Sequence, residues 1–282
     1  MKLLRYGEPG HEKPGCLDQN GSIRDLSAHI ADINGETLSP SSLEKLRRLD
    51  IEKLPLVKAE TRLGPCVHHV GKFMCIGRNY VEHAKETGAE APSEPVLFLK
   101  ANSAISGPDD PIIIPRDSHH TDWEVELGVI IGKPAKRIKE ENALDYIAGY
   151  CVINDVSERR LQLEGTGQWT KGKSCDTFGP IGPWLVTKDE ISDPQQLSLW
   201  LEVDGHRYQD DTTSHMIFNV KHIICYLSQF FTLHPGDIIS TGTPAGVGHG
   251  QKPQAVYLHP GQTVRLGITG LGEQTHMTVA EK

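Results

Sequence analysis

Three carboxylates and a histidine–glutamate pair carry the chemistry open to this sequence. Glu124 and Glu126 sit two apart in Asp122-Trp123-Glu124-Val125-Glu126-Leu127-Gly128-Val129-Ile130-Ile131. The residues that follow are strongly strand-forming, and on a strand positions i and i+2 point to the same face. Two carboxylates then lie about 7 Å apart or closer. Like charges that close repel unless something positive stands between them. A hard divalent cation is the natural partner, because such ions prefer carboxylate oxygens. The competing reading is a solvated strand face. The apolar run 127–131 weighs against it, since this strand reads as buried on both faces. Asp155 ends a second apolar stretch, Tyr150-Cys151-Val152-Ile153-Asn154-Asp155, at a strand end where loop-borne functional groups emerge. It completes a triad of oxygen ligands, or else caps a helix ahead of Ser157-Glu158-Arg159.

His83 and Glu86 are three apart, so on a helix their side chains meet. A carboxylate beside an imidazole fixes its tautomer and raises its basicity, which makes a general base for water. A surface ion pair has the same spacing. Gly167-Gln168-Trp169-Thr170-Lys171-Gly172-Lys173-Ser174 satisfies the pattern of a phosphate-binding loop. That loop needs a helix after it, and Cys175-Asp176-Thr177-Phe178-Gly179-Pro180-Ile181-Gly182-Pro183 forms none. A nucleotide site is therefore not expected, and Lys173 remains as a cation facing an acidic substrate. The adjacent pairs His68-His69 and His119-His120 point to opposite faces of a strand and make no two-histidine metal site. Thr241-Gly242-Thr243-Pro244 follows a strand and offers hydroxyls and amides to a carboxylate, or is simply a turn.

The elements that must position these groups read as α+β, mostly β. With 282 residues, 37% hydrophobic and 23% charged, the chain can bury a core without disulfides. Residues 1–70 look like a small N-terminal α+β domain. It has a strand over 2–6, a hairpin around the turn 18–21 and a helix carrying Leu43, Leu46 and Leu49; residues 54–65 read as a linker. Residues 71–282 are strand-rich, with short β-branched runs near 73–76, 96–99, 112–114, 125–131, 151–153, 199–203, 238–241 and 264–268. Helices are expected only over 80–86 and 220–231, too few for a doubly wound sheet. A net charge of −8 excludes nucleic acid and anionic membrane surfaces as natural partners. The six scattered cysteines form no Cys-x-x-Cys pair and read as reduced, in a cytoplasmic protein. The opening Met-Lys-Leu-Leu develops no apolar stretch, and no run approaches the 18 apolar residues of a membrane span.

Taken together, these segments resemble the fumarylacetoacetate hydrolase superfamily over about residues 71–280. The match rests on residues 76–86, on Ser93-Glu94-Pro95-Val96-Leu97-Phe98-Leu99-Lys100, on Glu124 and Glu126, and on Asp155 and Arg159. Lys173-Ser174, Ser214 with Met216, and 241–248 complete it. The resemblance implies a β-roll catalytic domain, usually a homodimer. It implies Mg²⁺ or Mn²⁺ on Glu124, Glu126 and Asp155, with Ca²⁺ a substitute in a crystal. In acylpyruvase-like members the positions of His83 and Glu86 form the water-activating dyad. Those of Arg159, Gln162 and Lys173 line the oxo-acid site, and that of Thr243 holds the carboxylate; Arg78, within the matching segment 76–86, is a further substrate-binding candidate. The implied reaction is hydrolysis of a C–C bond in a 2,4-dioxo acid, an acylpyruvate or a 2,4-diketo-3-deoxy sugar acid. Lys173 would assist protonation of the pyruvate released. Other reactions stay open on the same fold: oxaloacetate decarboxylation or tautomerisation, hydration or isomerisation of a 2-oxo-4-enoate, and ureidoglycolate cleavage. A non-catalytic oxo-acid binding protein is the alternative of another class, and the intact ligands and dyad weigh against it.

Overall fold

The computed structural model describes all 282 residues. Strand β1 (Lys2–Tyr6) runs antiparallel to β2 (Lys13–Leu17), which pairs with β3 (Ile23–Asp25). Asp18 closes the turn between β2 and β3, its carboxylate accepting the main-chain N–H of Asn20 and of Ser22. Helix α1 (Pro40–Arg47) is capped by the Ser39 hydroxyl, which accepts the N–H of Ser42, and it buries Leu43 and Leu46.

From residue 73 the chain forms β4 (Phe73–Gly77), α2 (Val81–Glu86), β5 (Val96–Lys100), β6 (Ile112–Ile114), β7 (Val125–Ile131) and β8 (Ile147–Asn154). Two short helices follow, α3 (Arg159–Leu163) and α4 (Thr170–Lys173), then β9 (Gly179–Thr187), β10 (Ser198–Val203) and β11 (His206–Thr212). Helix α5 (Val220–Phe230), β12 (Ile238–Ser240), β13 (Thr263–Ile268) and β14 (Gly272–Ala280) complete the main elements. The large sheet has the order β3-β2-β1-β9-β8-β7-β12-β4-β5, with two short strands off this path. A second sheet has the order β11-β10-β13-β14-β6. Neither closes into a barrel. The expected α+β, mostly β class holds.

The N-terminal segment continues the large sheet. Lys2 and Leu3 of β1 pair with Val186 and Leu185 of β9. Leu3, Leu26, Leu43 and Leu46 share one apolar cluster with Phe73, Ile130, Ile153 and Ile181. Neither the sheet nor this cluster is interrupted at the expected boundary near residue 70.

Strands β7 and β8 sit at the centre, and every residue of both is buried. Each large aliphatic side chain withdrawn from water there contributes about 1.5–3 kcal/mol. Their antiparallel register sets Glu126 opposite Ile153 and Val125 opposite Asn154, so the C-terminal end of β8 delivers Asp155 beside the two glutamates. No helix is long and apolar enough to cross a membrane, and all six cysteines are free.

Gly149 shows how tightly this floor is built. A Cβ there would lie 2.3 Å from the Val186 carbonyl oxygen of β9, and backbone cannot yield as a side chain can. The β8–β9 ladder shifts register just beyond, between Tyr150 and Val152. Gly149→Ala should therefore lower the unfolding free energy by about 1–3 kcal/mol, the usual cost of overpacking. Urea denaturation checks this; an unchanged midpoint would show that the two strands have room to part.

Candidate metal centre and catalytic cleft

The site begins on β7. Glu124, just before that strand, and Glu126, its second residue, reach the same cleft, as their two-residue spacing predicts. Asp155 joins them, and one carboxylate oxygen from each of the three lies within 4.8 Å of the others. All three side chains are buried.

Cations meet most of this charge. Lys173 Nζ donates to Glu124 Oε2 at 2.5 Å and to Asp155 Oδ2 at 2.8 Å. Lys100 Nζ donates to Asp155 Oδ1 at 2.5 Å and to the Val156 carbonyl at 3.1 Å. Arg159 lies with Nη2 2.7 Å from Glu124 Oε1, a close ion pair without the alignment of a hydrogen bond. Its Nε donates to Asp122 Oδ2 at 2.7 Å and its Nη1 to Gln162 Oε1 at 3.0 Å. Burial alone would raise the Glu124 carboxyl, but the charges of Lys173 and Arg159 override it and hold the group at about 2. Burial disfavours a charged Lys173, yet Asp155 and Glu124 raise its ammonium above the ordinary value, so it stays charged.

Glu126 is the exception. It receives only neutral donors, Ser240 Oγ at 2.6 Å and the Gly242 N–H at 2.8 Å. Burial, then the charges of Asp155 and Glu124, push its carboxyl well above the ordinary range. A buried, all-oxygen set with one carboxylate short of positive charge fits a hard divalent cation.

The dyad stands on α2. His83 Nδ1 is 2.9 Å from Glu86 Oε1, and Glu86 Oε2 accepts the Gly246 N–H at 2.9 Å. Asn79 anchors the turn before the helix. Its amide donates to the carbonyls of Thr241 and Phe218, and its oxygen accepts the Phe218 N–H.

Every expected site residue except Glu86 lines one cleft: Arg78, His83, Glu124, Glu126, Asp155, Arg159, Gln162, Lys173 and Thr243. Glu86 stands behind His83. The Thr243 hydroxyl donates to the Val125 carbonyl at 3.0 Å and accepts from Gln209 at 2.8 Å, so its main-chain N–H is what it can offer a carboxylate. Lys173 closes the single turn α4 and turns into the cleft, and no helix follows Ser174. The phosphate-loop pattern thus lacks the helix it requires.

Sequence reading passed over Lys100, Asp122, Trp169 and His249. Asp122 accepts the N–H groups of Trp123, Gly248 and His249 as well as Arg159 Nε. It ties the glycine-rich loop 242–250 to the arginine. Lys100 had a local signal, since it lies on the same buried face of β5 as Phe98.

The model of the fumarylacetoacetate hydrolase C-terminal domain matches residues 72–279. A protein of Burkholderia multivorans named "Putative hydrolase" is 62% identical over the whole of both chains. Among solved structures, a fumarylacetoacetate hydrolase from Exiguobacterium antarcticum superposes with a TM-score of 0.86 at 36% identity, over all of both chains. A 2-hydroxyhepta-2,4-diene-1,7-dioate isomerase from Mycobacterium marinum gives 0.77 at 33%, over all of this chain and 99% of that one. A maleylpyruvate hydrolase from Sphingobium sp. SYK-6, solved with manganese(II) and pyruvate, gives 0.84 at 28%, over all of both.

The raised Glu126 carboxyl sets a pH dependence. It keeps its proton above the ordinary carboxylate range and must release it when a cation arrives. Mn²⁺ affinity should therefore rise with pH until Glu126 is ionised in the free protein, and Glu126→Gln should bind Mn²⁺ more weakly. Calorimetric titration at several pH values measures both. A flat wild-type profile, or wild-type affinity in Glu126→Gln, would contradict the assignment.

Proposed function

The chain belongs to the fumarylacetoacetate hydrolase family, and on that premise we propose that it hydrolyses a carbon–carbon bond in a 2,4-dioxo acid, releasing pyruvate and a carboxylic acid. The observation that carries this reading is the dyad: His83 Nδ1 at 2.9 Å from Glu86 Oε1, with the imidazole lining the same cleft as the triad. A proton shuttle aimed at a water is what hydrolysis needs.

Glu124, Glu126 and Asp155 would hold a divalent cation, Mg²⁺ or Mn²⁺, which when bound supplies Lewis-acid polarisation of a chelating oxo acid. The manganese in the Sphingobium maleylpyruvate hydrolase structure supports that choice. The chain's own residues do the rest. With Nδ1–H donated to Glu86, His83 presents Nε2 to the cleft as a base. It takes a proton from water as the oxygen adds to the C4 carbonyl. The C3–C4 bond breaks, its electron pair stays on C3, and a proton quenches it. Lys173, held charged beside Glu124 and Asp155, is the cation placed to deliver or steady that proton. Arg159 and Gln162 form one bonded pair on the cleft wall and orient the acid, and Thr243 receives its carboxylate.

The isomerase among the structural neighbours makes proton transfer without water addition the competing chemistry. The dyad favours hydrolysis over it. His83→Ala should cut pyruvate release from an acylpyruvate by roughly 10²–10⁴-fold, the usual range for loss of a general base. Mn²⁺ affinity should stay at the wild-type value, because His83 is no ligand. A coupled pyruvate assay and a metal titration read the two quantities. Hydrolysis at near the wild-type rate would remove the dyad from the mechanism. Isomerisation without pyruvate release would replace the reaction.

A further inference from the structure

Thr87 and His249 line both the cleft and a second, polar depression formed by residues 85–88 and 251–255. That depression is open to solvent, since Lys252, Pro253 and Gln254 are exposed. Of the two shared residues, only His249 has a side chain that moves protons near neutral pH. Its place is fixed from several directions. The main-chain N–H of His249 donates to Asp122 Oδ2 at 2.9 Å, the oxygen that also holds Arg159 Nε. A Cβ on Gly248 would fall 2.0 Å from the Val256 carbonyl oxygen, and one on Gly250 would fall 2.7 Å from the Glu86 carboxylate. Glycines on both sides thus let this turn press against residue 256 and against the partner of His83.

His249 Nδ1 lies 2.9 Å from the Tyr257 hydroxyl. Burial, then the charge of Asp122, push that phenol up, so it keeps its proton. Burial, then the charge of Arg159, push the His249 imidazole down, so the ring is neutral at neutral pH. With the Tyr257 O–H donating to Nδ1, the ring's own proton sits on Nε2, the nitrogen left to the cleft. His120 packs edge-on against the Tyr257 ring at 4.9 Å and braces it. Lys173 is less suited to give a proton away. It is bonded to Glu124 and Asp155, and a neutral amine there would leave two buried carboxylates short of positive charge.

We propose that His249 is the acid that protonates C3 as the C3–C4 bond breaks, with Tyr257 as its positioning residue and proton source. This rests on the reading above and leaves Lys173 the task of steadying the charge. The Nε2 proton goes to C3, Nδ1 takes the Tyr257 hydroxyl proton, and the phenolate recovers one from solvent. His83 returns to solvent the proton it took from water, and the carboxylic acid ionises, so each turnover releases one proton. Run backwards, the same relay removes a hydrogen from C3 of a bound 2-oxo acid. The inference therefore adds an activity that breaks no C–C bond, the exchange of one C3 hydrogen with solvent.

The test separates this inference from the reaction. The full-length protein with Mg²⁺ is incubated with 2-oxobutanoate in D₂O, and the C3 methylene is followed by proton NMR. Wild type should replace one of the two hydrogens and leave the other, because a fixed imidazole reaches C3 from one face. His249→Gln should slow the exchange roughly 10²-fold or more, from the lower end of the range for a lost general acid or base upward. Tyr257→Phe should slow it by a smaller factor, and the phenyl ring keeps the packing of the phenol, which guards against a folding defect. Imidazole added to His249→Ala should restore part of the exchange, which a merely structural role would not allow. Exchange at the wild-type rate in His249→Gln or in Tyr257→Phe, no exchange in wild type, or loss of both hydrogens at equal rates would overturn the proposal. Pyruvate release from acetylpyruvate is followed separately. Exchange without release leaves His249 its role and removes hydrolysis; release without exchange does the reverse.

Discussion

Three carboxylates forced together in a buried place must be met by positive charge. One oxygen from each of Glu124, Glu126 and Asp155 lies within 4.8 Å of the others, where the two central strands of a sheet end and no residue of β7 or β8 is exposed. An uncompensated buried charge costs several kcal/mol. The chain answers with Lys100, Lys173 and Arg159, each drawn from a different element and each paired to Asp155 or Glu124. Counting Asp122, four carboxylates face three cations, and the surplus falls on Glu126. That surplus is the feature that would let the triad take up a cation, as proposed, where a fully paired ion network would not.

The same constraint organises the loop 242–250. Gly242 has a φ of 102° and gives its N–H to Glu126; a side chain there would strike Asn79, whose Cβ lies 2.6 Å from the added carbon. Gly246 gives its N–H to Glu86, and Gly248 and His249 give theirs to Asp122. One short loop thus touches a carboxylate of the triad, the Glu86 partner of His83 and the anchor of Arg159. Main-chain N–H groups do this without the entropy of long side chains, and they fix the dyad relative to the triad. The proposed hydrolysis would depend on that fixed relation, because base and carbonyl must meet one water.

Much of this was legible in the sequence because it is local. The i, i+2 spacing of Glu124 and Glu126 placed them on one face, and the i, i+3 spacing of His83 and Glu86 let them bond. The turn at 18–21 and the helix bearing Leu43 and Leu46 also lay in short windows. What escaped depends on distant partners. Asp122 reads as a strand-edge acid until the loop at 248–249 and Arg159 fold onto it. Lys100 reads as a solvated lysine ending a strand until Asp155 arrives from 55 residues away. The pairing of β1 with β9 crosses more than 180 residues, so no local pattern announced that the N-terminal strands would extend the sheet that carries the triad. Short helices such as α3 and α4 have too few turns to show a period, and they carry Arg159, Gln162 and Lys173.

Where a divalent cation sits decides whether the triad is a metal site. Anomalous diffraction from crystals grown with Mn²⁺ reads that position directly. The prediction is one strong peak bonded to oxygens of Glu124, Glu126 and Asp155, with the peak lost in crystals of a variant carrying glutamine at position 126. A peak elsewhere, or an empty triad at saturating Mn²⁺, would contradict it.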